Sequence, residues 1–253
     1  SERAEALTSL GAQIAAADTF WRGRFARFSP VGLSGSGGDS NTASVEFTWP
    51  DGLTTGQKAD LVARWAAQAA GEESADIALT HAALPDDPHI LGWVPFRAGD
   101  DLARIRDKGA VAADIALRLP GLASLSCPEI AFAVDGDEAL AEANLTVTAR
   151  GALHYDGARI APALAQLLAN RLVAMAEAEA RGEATPEMPE AERHLVLYGW
   201  NQSQTDFDRA ATMASLFEAQ VAQTPEAPAL VVGPDILSYA ELNQRANRAA
   251  HVL

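Results

Sequence analysis

The chain has 253 residues, 48% of them apolar, and a formal charge of −15, so it has room for one sizeable core with an appendage or for two small domains. The charge argues against nucleic acid or an anionic membrane as a partner, because both favour a basic surface. The single cysteine, Cys127, excludes an internal disulfide and a cysteine-based zinc cluster. No apolar run approaches the roughly 18 residues of a membrane span and no signal-peptide pattern opens the chain, which predicts a cytoplasmic protein.

The first elements in chain order are a helix, a loop and a strand. Residues 4–25 carry a rough apolar stripe at helical spacing. Segment 32–41 is rich in glycine and serine, which is typical of a loop, and it has neither the Walker pattern nor the dinucleotide-binding pattern. Residues 43–49 alternate apolar and polar side chains, so they predict a half-buried strand.

Two helices are predicted next. Thr54 and Gln57 have the spacing of a helix cap, and the helix that they open is predicted to end at Gly71. A second helix is predicted from Asp101 to the Pro120-Gly121 pair, because apolar residues share one face over that length.

Strands and a long helix then alternate up to residue 182. Residues 129–134 form a short apolar run typical of a buried strand, and residues 145–155 alternate like a second strand. A helix is predicted from Pro162 to Arg181. Strands interleaved with helices predict a layered α/β or α+β domain over residues 1–182.

The end of the chain has the pattern of a linker followed by a new folding unit. Residues 183–192 are acidic and interrupted by proline, and short helices are predicted near 190–198 and 213–223, followed by a strand in "PALVVG". Ser238 and Glu241 have capping-box spacing before a final amphipathic helix. The apolar face of that helix has no predicted partner, so we expect the chain to be a piece of a longer protein.

One loop gathers residues that resemble a set of metal ligands. His81, Asp86, Asp87 and His89 lie close together in "HAALPDDPH". Imidazole and carboxylate side chains together suit a divalent metal. Pro85 and Pro88 break the segment, however, and no helix or strand holds the four side chains in place. We therefore predict a polar loop rather than a metal site.

Cys127 and His154 are two further candidates for a chemical role. Cys127 precedes Pro128, and no neighbouring residue is suited to lower the pKa of its thiol, so an inert buried thiol is predicted rather than a nucleophile. His154 lies on the polar side of an alternating strand and is predicted to be a solvated residue. No pattern in the chain assembles a nucleophile, a base and a group that orients the base.

The end of the chain carries the most specific motifs. "PEAERHLVLYGWNQSQTDF" and the sequence that follows it closely resemble the linker between the condensation and adenylation domains of nonribosomal peptide synthetases. Residues 237–242, "LSYAEL", match the first adenylation core motif, Leu-Thr/Ser-Tyr-x-Glu-Leu. Trp200-Asn201 matches the Trp-Asn of that linker. The resemblance implies that the final helix belongs to an adenylation domain.

The preceding sequence resembles the C-terminal lobe of the condensation domain, which has a CoA-dependent acyltransferase-like fold. "DTFWRGRFARFSP" is similar to the segment that opens this lobe, and "LTVTARGALHYDGARIAPALAQLLANRLVAMAEAEA" is similar to its last strand and closing helix. Residues 91–97, "LGWVPFR", resemble a segment of condensation domains and equally a segment of epimerisation domains. The resemblance leaves the choice between these two ancestries open.

The sequence departs from the family at its catalytic motif. The resemblance implies that a His-His-x-x-x-Asp-Gly motif lies in an N-terminal lobe, and no His-His pair occurs in this sequence. The nearest string, His154-Tyr155-Asp156-Gly157, has one histidine at the wrong spacing and in the wrong lobe. A catalytic imidazole must reach the proton that it moves. We therefore expect no catalytic, cofactor-binding or metal-binding residue in this sequence.

Three functions are consistent with the resemblance. In the first, residues 1–182 are a truncated, non-catalytic condensation-like domain, 183–211 are the linker and 212–253 begin the adenylation domain. Such a scaffold is expected to pack on its own adenylation domain and to receive a carrier protein or a tailoring enzyme acting in trans. In the second, the chain is the C-terminal half of an active condensation or epimerisation domain whose histidine-containing lobe lies elsewhere. In the third, the lobe is an evolutionary remnant that acts as a solubilising cap.

Cofactors and contacts follow from the same resemblance. ATP, magnesium and phosphopantetheine are expected for a parent synthetase and none of them for this fragment. Trp93 and Trp200 lie in predicted loop or edge segments, where aromatic side chains serve either as contact anchors or as core residues. The acidic charge favours a basic partner enzyme over an acidic carrier protein.

Overall fold

A computed structural model describes most of the chain and divides it into two compact units. The described residues are 2–33, 37, 41–81, 88–117, 126–186, 188–203, 205–206 and 209–252. The first unit runs from Ser1 to Leu197 and the second from Tyr198 to Leu253. Most of the predicted loop 32–41 lies outside the described residues, as do Asp86 and Asp87.

Six α-helices belong to the described part of the first unit. They are α1 (Glu2–Phe25), α2 (Thr55–Ala70), α3 (Leu102–Asp107), α4 (Ala113–Leu117), α5 (Pro162–Arg181) and α6 (Glu190–His194). Helix α2 opens at the predicted capping box of Thr54 and Gln57, and it ends at Gly71, where φ is +73°. Proline opens α5 because the first amides of a helix have no intrahelical acceptor. Among the described helices, none is both long enough and apolar enough to cross a bilayer.

Among its described residues, the first unit is built on one mixed sheet of six strands. They are β1 (Thr42–Glu46), β2 (Asp76–Thr80), β3 (Val94–Arg97), β4 (Ile130–Ala133), β5 (Leu145–Thr148) and β6 (Ala152–Asp156). The spatial order is β1-β6-β5-β4-β2-β3. The β2–β4 and β4–β5 pairs are parallel, and the other three pairs are antiparallel. The predicted layered α/β class is confirmed.

The two faces of the sheet differ in the size of their side chains. Alternate residues of a strand point to opposite faces, so the register sorts the side chains into rows. One row is Leu79, Phe132, Val147, Leu153 and Val45. The adjacent row, on the other face, is Ala78, Ala131, Thr146, His154 and Ser44. One face is therefore large and apolar, and the other is small and polar.

Helices α2 and α5 pack against each other and against the sheet. Helix α2 contacts β2, β3 and β4, and α5 contacts β1 and β6. The indole of Trp65 on α2 donates a hydrogen bond to the carbonyl oxygen of Leu168 on α5 at 3.1 Å. Because the indole is buried, this bond satisfies the one polar atom of a large core residue. The two helices and the sheet therefore share one core.

A buried charge cluster connects the end of α1 to strands β2 and β3. Asp76 is fully buried and forms ion pairs with Arg24 of α1 and with Arg97 of β3, the latter at 2.6 Å. It also accepts the backbone N–H of Ser29 at 2.6 Å. Arg24 in turn pairs with Asp100 at 3.0 Å. A buried carboxylate needs such partners, because an unpaired charge in the interior is very costly.

Two predicted elements are each divided in the structure. The single helix predicted from Asp101 is wrong: α3 ends at Asp107 and α4 begins at Ala113, with Gly109 between them at φ +65°. The single strand predicted over 145–155 is also wrong, because it folds into the antiparallel β5–β6 hairpin. The period-2 pattern continues through the turn at Gly151, so alternation alone does not reveal the break.

Strands β2 and β3 were not predicted. Strand β2 begins with Asp76, a residue type that is disfavoured in strands. The carboxylate is accommodated because Arg24 and Arg97 approach it from distant parts of the chain. Strand β3 contains Pro95 and lies at the edge of the sheet, a position where proline is tolerated.

The second unit contains two helices and a two-stranded sheet among its described residues. These are α7 (Met213–Gln223), β7 (Pro228–Val232), β8 (Asp235–Ser238) and α8 (Tyr239–Ala250). The predicted capping box of Ser238 and Glu241 is present at the start of α8. Phe217 and Tyr239 bring α7 and α8 together, with ring centroids 5.9 Å apart. The predicted elements of this unit are confirmed, and β8 is added to them.

Candidate functional site

A polar cavity of about 380 Å³ lies beside the small and polar face of the sheet. Its wall is formed by strands β5 and β6 and by the segment 139–144. The polar side chains among its lining residues belong to Thr42, Glu142, Asn144, Thr146, His154, Tyr155, Asp156 and Arg159. The backbone N–H of Leu140 donates to the hydroxyl of Thr146 at 3.0 Å, so the segment is bonded to the sheet.

His154 lies in this cavity wall, directly opposite Thr146 of the neighbouring strand. The prediction that His154 is a solvated residue is wrong. The residue is half-buried, and its Nε2 atom is enclosed without a hydrogen-bond partner among the described residues. The reason is that segment 139–144 covers this side of the strand, which the sequence pattern does not reveal.

The residues His154-Tyr155-Asp156-Gly157 form the end of β6 and the start of the turn that follows it. Tyr155 is buried and pairs in register with Leu145. Asp156 Oδ1 accepts the backbone N–H of Ala158 at 2.9 Å, which closes the turn after β6. The string therefore forms a strand end and a turn.

The four residues weighed as metal ligands are only partly described. His81 is 4% exposed, and burial, with a smaller contribution from Arg106, lowers its pKa. His89 lies beside α1, and Asp86 and Asp87 lie outside the described residues. Within the described ranges, no group of three or more histidine, cysteine, aspartate or glutamate residues is arranged to hold a metal ion. The expected absence of a site at this loop stays a prediction.

The thiol of Cys127 is half-buried in the first unit. Burial, and to a lesser extent the charge of Glu142, raises the pKa of this thiol far above its ordinary value. The nucleophilic form of cysteine is the thiolate. At neutral pH the side chain is therefore protonated, which agrees with the expectation of an inert residue.

The two tryptophans weighed as contact anchors have different environments. Trp93 is 1% exposed and stacks on Phe28 with ring centroids 5.9 Å apart, so the interpretation of Trp93 as a surface anchor is wrong. Trp200 is 67% exposed. The exposed indole remains available for a contact.

An exposed apolar groove of about 590 Å³ runs along the first half of α1. Its helical wall is formed by Leu7, Leu10 and Ile14, and its opposite wall includes Ile90 and Ala112. Leu7 is 45% exposed. The groove therefore offers apolar contacts on the surface of the first unit.

The beginning of the predicted linker is held against α5 by a charged clasp. Arg171 of α5 makes two hydrogen bonds to the carboxylate of Glu192 in α6, one of them at 2.7 Å from Nε to Oε2. The carboxylate is buried, and the pairing raises the pKa of Arg171. Two-point binding of a guanidinium to a carboxylate fixes orientation as well as distance. Helix α6 is therefore held against α5.

Apolar side chains are exposed next to this clasp. Met188, Leu195 and Leu197 are each at least 40% exposed, and a shallow pocket of about 560 Å³ lies among Met188, Val196 and Leu197. A π-helical turn covers Leu195–Gly199. The start of the predicted linker is therefore not purely polar, because apolar side chains are exposed beside the clasp.

Comparison with known sequences finds short matches in large synthetases. No family model matches the chain. A linear gramicidin synthase protein of Brevibacillus parabrevis is 56% identical over 64 residues, which is 25% of this chain and 1% of that protein. A second linear gramicidin synthase protein of the same organism is 38% identical over 106 residues, 40% of this chain and 2% of that protein. The chain thus spans only 1–2% of the length of these relatives.

Comparison with solved structures extends the likeness over nearly the whole chain. The four-domain nonribosomal peptide synthetase AB3403 matches 94% of this chain and 25% of its own with a TM-score of 0.57 at 11% identity. The starter condensation domain of rhizomide synthetase matches 73% of this chain and 56% of its own, with a TM-score of 0.53 at 14% identity. The chain is similar in sequence to nonribosomal peptide synthetases and has a condensation-like fold. The likeness to solved structures shows the fold, whereas any chemistry has to be argued from the residues of this chain.

The likeness to a synthetase extends over both units of the chain. The synthetase FmoA3 matches 95% of this chain and 35% of its own, with a TM-score of 0.53 at 14% identity. A neighbour restricted to a condensation domain matches only 73% of the chain. The chain therefore contains structure beyond what aligns with a condensation domain alone.

Proposed function

We propose that the chain is a non-catalytic, condensation-like interaction domain of a nonribosomal peptide synthetase module. In this proposal residues 1–182 form the interaction domain, 183–211 form the linker and 212–253 begin an adenylation domain. The domain packs on that adenylation domain through the linker, in the cytoplasm. It also receives a carrier protein or a tailoring enzyme that acts in trans.

The observation that carries the proposal is the position of the histidines on a fully packed lobe. The chain has five histidines and no adjacent pair of them. The one histidine that is closely followed by Asp-Gly, His154, lies in the sheet beside a turn that Asp156 closes. A general acid or base has to reach the reacting proton within hydrogen-bond distance. A well-packed core without that chemistry supports a role in contacts.

The clasp supports the part of the proposal that concerns the adenylation domain. Arg171 and Glu192 hold the linker helix to α5 through two hydrogen bonds. A buried charged pair gives orientation rather than much net stability, because desolvation offsets most of its attraction. The exposed residues Met188, Leu195 and Leu197 then supply apolar contact area. Such an arrangement suits a linker that has to hold a neighbouring domain in one orientation.

The charge of the chain supports a basic partner in trans. At −15 the long-range field attracts a positively charged protein and repels an acidic one. We expect residues 1–210, used as bait in a lysate of the producing organism, to retain a tailoring enzyme with a basic surface. Retention should fall as the salt concentration rises. A partner whose retention is unaffected by salt would remove the electrostatic part of the proposal.

The alternative is that the chain completes an active condensation or epimerisation domain with a histidine-containing lobe located elsewhere. Two observations favour it: the apolar groove along α1 remains exposed, and the starter condensation domain of rhizomide synthetase extends beyond the 56% that this chain matches. An upstream His-His-x-x-x-Asp-Gly sequence in the parent gene would support this alternative.

The proposal is tested by deleting residues 1–182 from the intact synthetase. Adenylation, thioester loading and product titre should be measured separately on the deleted and the complete enzyme. The interaction role predicts that adenylation persists while loading or product titre falls, because a contact is lost and no chemical step is lost. If all three quantities are unchanged, the domain has no such role and the interpretation as a solubilising remnant gains support.

A further inference from the structure

Three Asp-Gly pairs occur in the chain, and their environments differ. They are Asp51-Gly52, Asp135-Gly136 and Asp156-Gly157. An aspartate that precedes glycine can react with its own backbone, because glycine has no side chain to shield the next peptide nitrogen. We propose that Asp51-Gly52 is a site of covalent modification, at which Asp51 converts to isoaspartate in the folded chain. The site is independent of the interaction role proposed above.

The conversion takes place within the chain and needs only water. The backbone nitrogen of Gly52 attacks the side-chain carboxyl carbon of Asp51, so that a C–N bond forms and a C–O bond breaks. The hydroxyl group leaves with the N–H proton as water, and a succinimide ring remains. Water then adds to the ring carbonyl that belonged to the backbone of Asp51. The chain now runs through the side-chain carbon, with one more main-chain atom and an unchanged mass.

Both reacting groups of the Asp51-Gly52 pair are free to meet. The two residues are exposed in the turn between β1 and α2. Within the described part of the chain, neither of them makes a hydrogen bond or an ion pair. No atom lies within 4 Å of the position that a Cβ of Gly52 would occupy, so there is open space beside the nitrogen. No contact therefore has to break before the attack.

The Asp156-Gly157 pair is held at both groups. Asp156 Oδ1 accepts the N–H of Ala158 at 2.9 Å. The N–H of Gly157 donates to the carbonyl oxygen of Asn41 at 3.1 Å, and Gly157 is buried. The nitrogen would have to leave a hydrogen bond in a buried position before it could attack, which is costly for a backbone group.

The Asp135-Gly136 pair lies between these two cases. Oδ2 of Asp135 is 3.2 Å from the guanidinium of Arg106, and the two side chains are 41% and 43% exposed. An exposed ion pair of this kind is weak, but it occupies the carboxylate. The environments therefore predict an order of rates in the folded chain, with Asp51 fastest and Asp156 slowest.

The proposal is tested by storing the full chain at neutral pH, folded in buffer or unfolded in urea, and mapping its tryptic peptides over time. Each pair lies on its own tryptic peptide, 28–58, 119–150 or 151–159, and electron-transfer fragmentation distinguishes the two isomers. In the folded chain Asp51 should convert at least about tenfold faster than Asp156, the factor for breaking one hydrogen bond. In urea the three rates should be similar. An unmodified Asp51 in the folded chain, or equal rates at Asp51 and Asp156, overturns the proposal.

A matched variant locates the reaction. Asp51→Glu keeps the charge but would have to close a larger ring, so isoaspartate should be lost from peptide 28–58 and persist at Asp135. The extra main-chain atom lies shortly before the helix cap at Thr54, so the stored parent should unfold at a lower urea concentration than stored Asp51→Glu. If peptide 28–58 contains equal isoaspartate in both proteins, the assigned site is wrong; the deletion test of the proposed function is unaffected.

Discussion

At the scale of single residues, the buried carboxylate of Asp76 has the largest predicted effect on stability. Its ion pairs with Arg24 and Arg97 connect α1, β2 and β3. Asp76→Asn leaves two guanidinium groups without their shared charge, and breaking a buried pair in this way costs about 3–5 kcal/mol. Urea unfolding measures the loss. Asp18→Asn breaks an exposed pair with Arg22 and should leave the midpoint unchanged. Equal effects of the two substitutions would contradict the structural role of the cluster.

The buried imidazole of His81 predicts a pH dependence of stability. Burial lowers its folded-state pKa from the ordinary 6.5, so as pH falls below about 6.5 the unfolded chain binds a proton before the folded chain does. Stability is therefore lost with a limiting slope of about 1.4 kcal/mol per pH unit between the unfolded and folded pKa values. His81→Gln should reduce that slope in urea titrations at pH 7.5 and 5.5. An unchanged difference between the two pH values would show that His81 titrates normally.

At the scale of elements, the β5–β6 hairpin depends on one glycine. Gly151 has φ +112°, and a Cβ added there would lie 2.2 Å from the carbonyl oxygen of Phe47. Both the backbone conformation and the contact forbid a side chain, so Gly151→Ala should cost about 3 kcal/mol or more in urea unfolding.

The control for this substitution is Gly52→Ala, where φ is +87° but no atom lies within 4 Å of the added Cβ. Only the backbone strain remains, so the expected cost is about 1 kcal/mol. If the two alanine variants are equally stable, the close approach of Phe47 to the hairpin turn is not rigid.

The clasp between α5 and α6 is tested by hydrogen exchange. Glu192→Gln removes the charge that Arg171 binds, so the hydrogen-bonded amides of Arg193 and Leu195 should exchange about tenfold faster. The effect is modest because the carboxylate of the pair is buried while the guanidinium is partly exposed. Glu190→Gln lies on the same short helix, and Glu190 is exposed. That variant should exchange like the parent. Equal protection in both variants would mean that other contacts hold α6.

Local sequence patterns predicted the helices that begin at a capping residue or at a proline. The cap at Thr54 and Gln57, proline at the start of α5 and the capping box at Ser238 are each decided within one turn of a helix. Periodicity predicted the apolar positions of β1, β5 and β6 in the same way.

Sequence patterns did not predict the elements that are stabilised by residues far away in the chain. Strand β2 begins with an aspartate that only two remote arginines make acceptable. His154 was misjudged because alternation identifies the face of a strand but not what covers it, and segment 139–144 covers it here. For Trp93 the sequence left a contact anchor and a core residue as alternatives, and the contact with Phe28, from a separate part of the chain, decides for the core.

At the scale of the whole molecule, the residues that determine the fold are not the residues that would carry a chemical activity. The fold follows from a sheet with one large apolar face and two helices that cover it, and this pattern requires no catalytic group. The motifs that resemble those of nonribosomal peptide synthetases lie in the linker and in the start of the second unit. A condensation-like core is therefore compatible with a role in contacts alone.

The most direct test of the interaction role is a thioester assay with the purified chain. Two thioester-bound amino acids are supplied as donor and acceptor, and both peptide-bond formation and inversion at the α-carbon are followed by mass spectrometry and chiral chromatography. We predict that neither product forms faster than in the absence of the chain, and that His154→Ala gives the same result. Coupling or epimerisation by the parent chain that disappears in His154→Ala would contradict the proposed function.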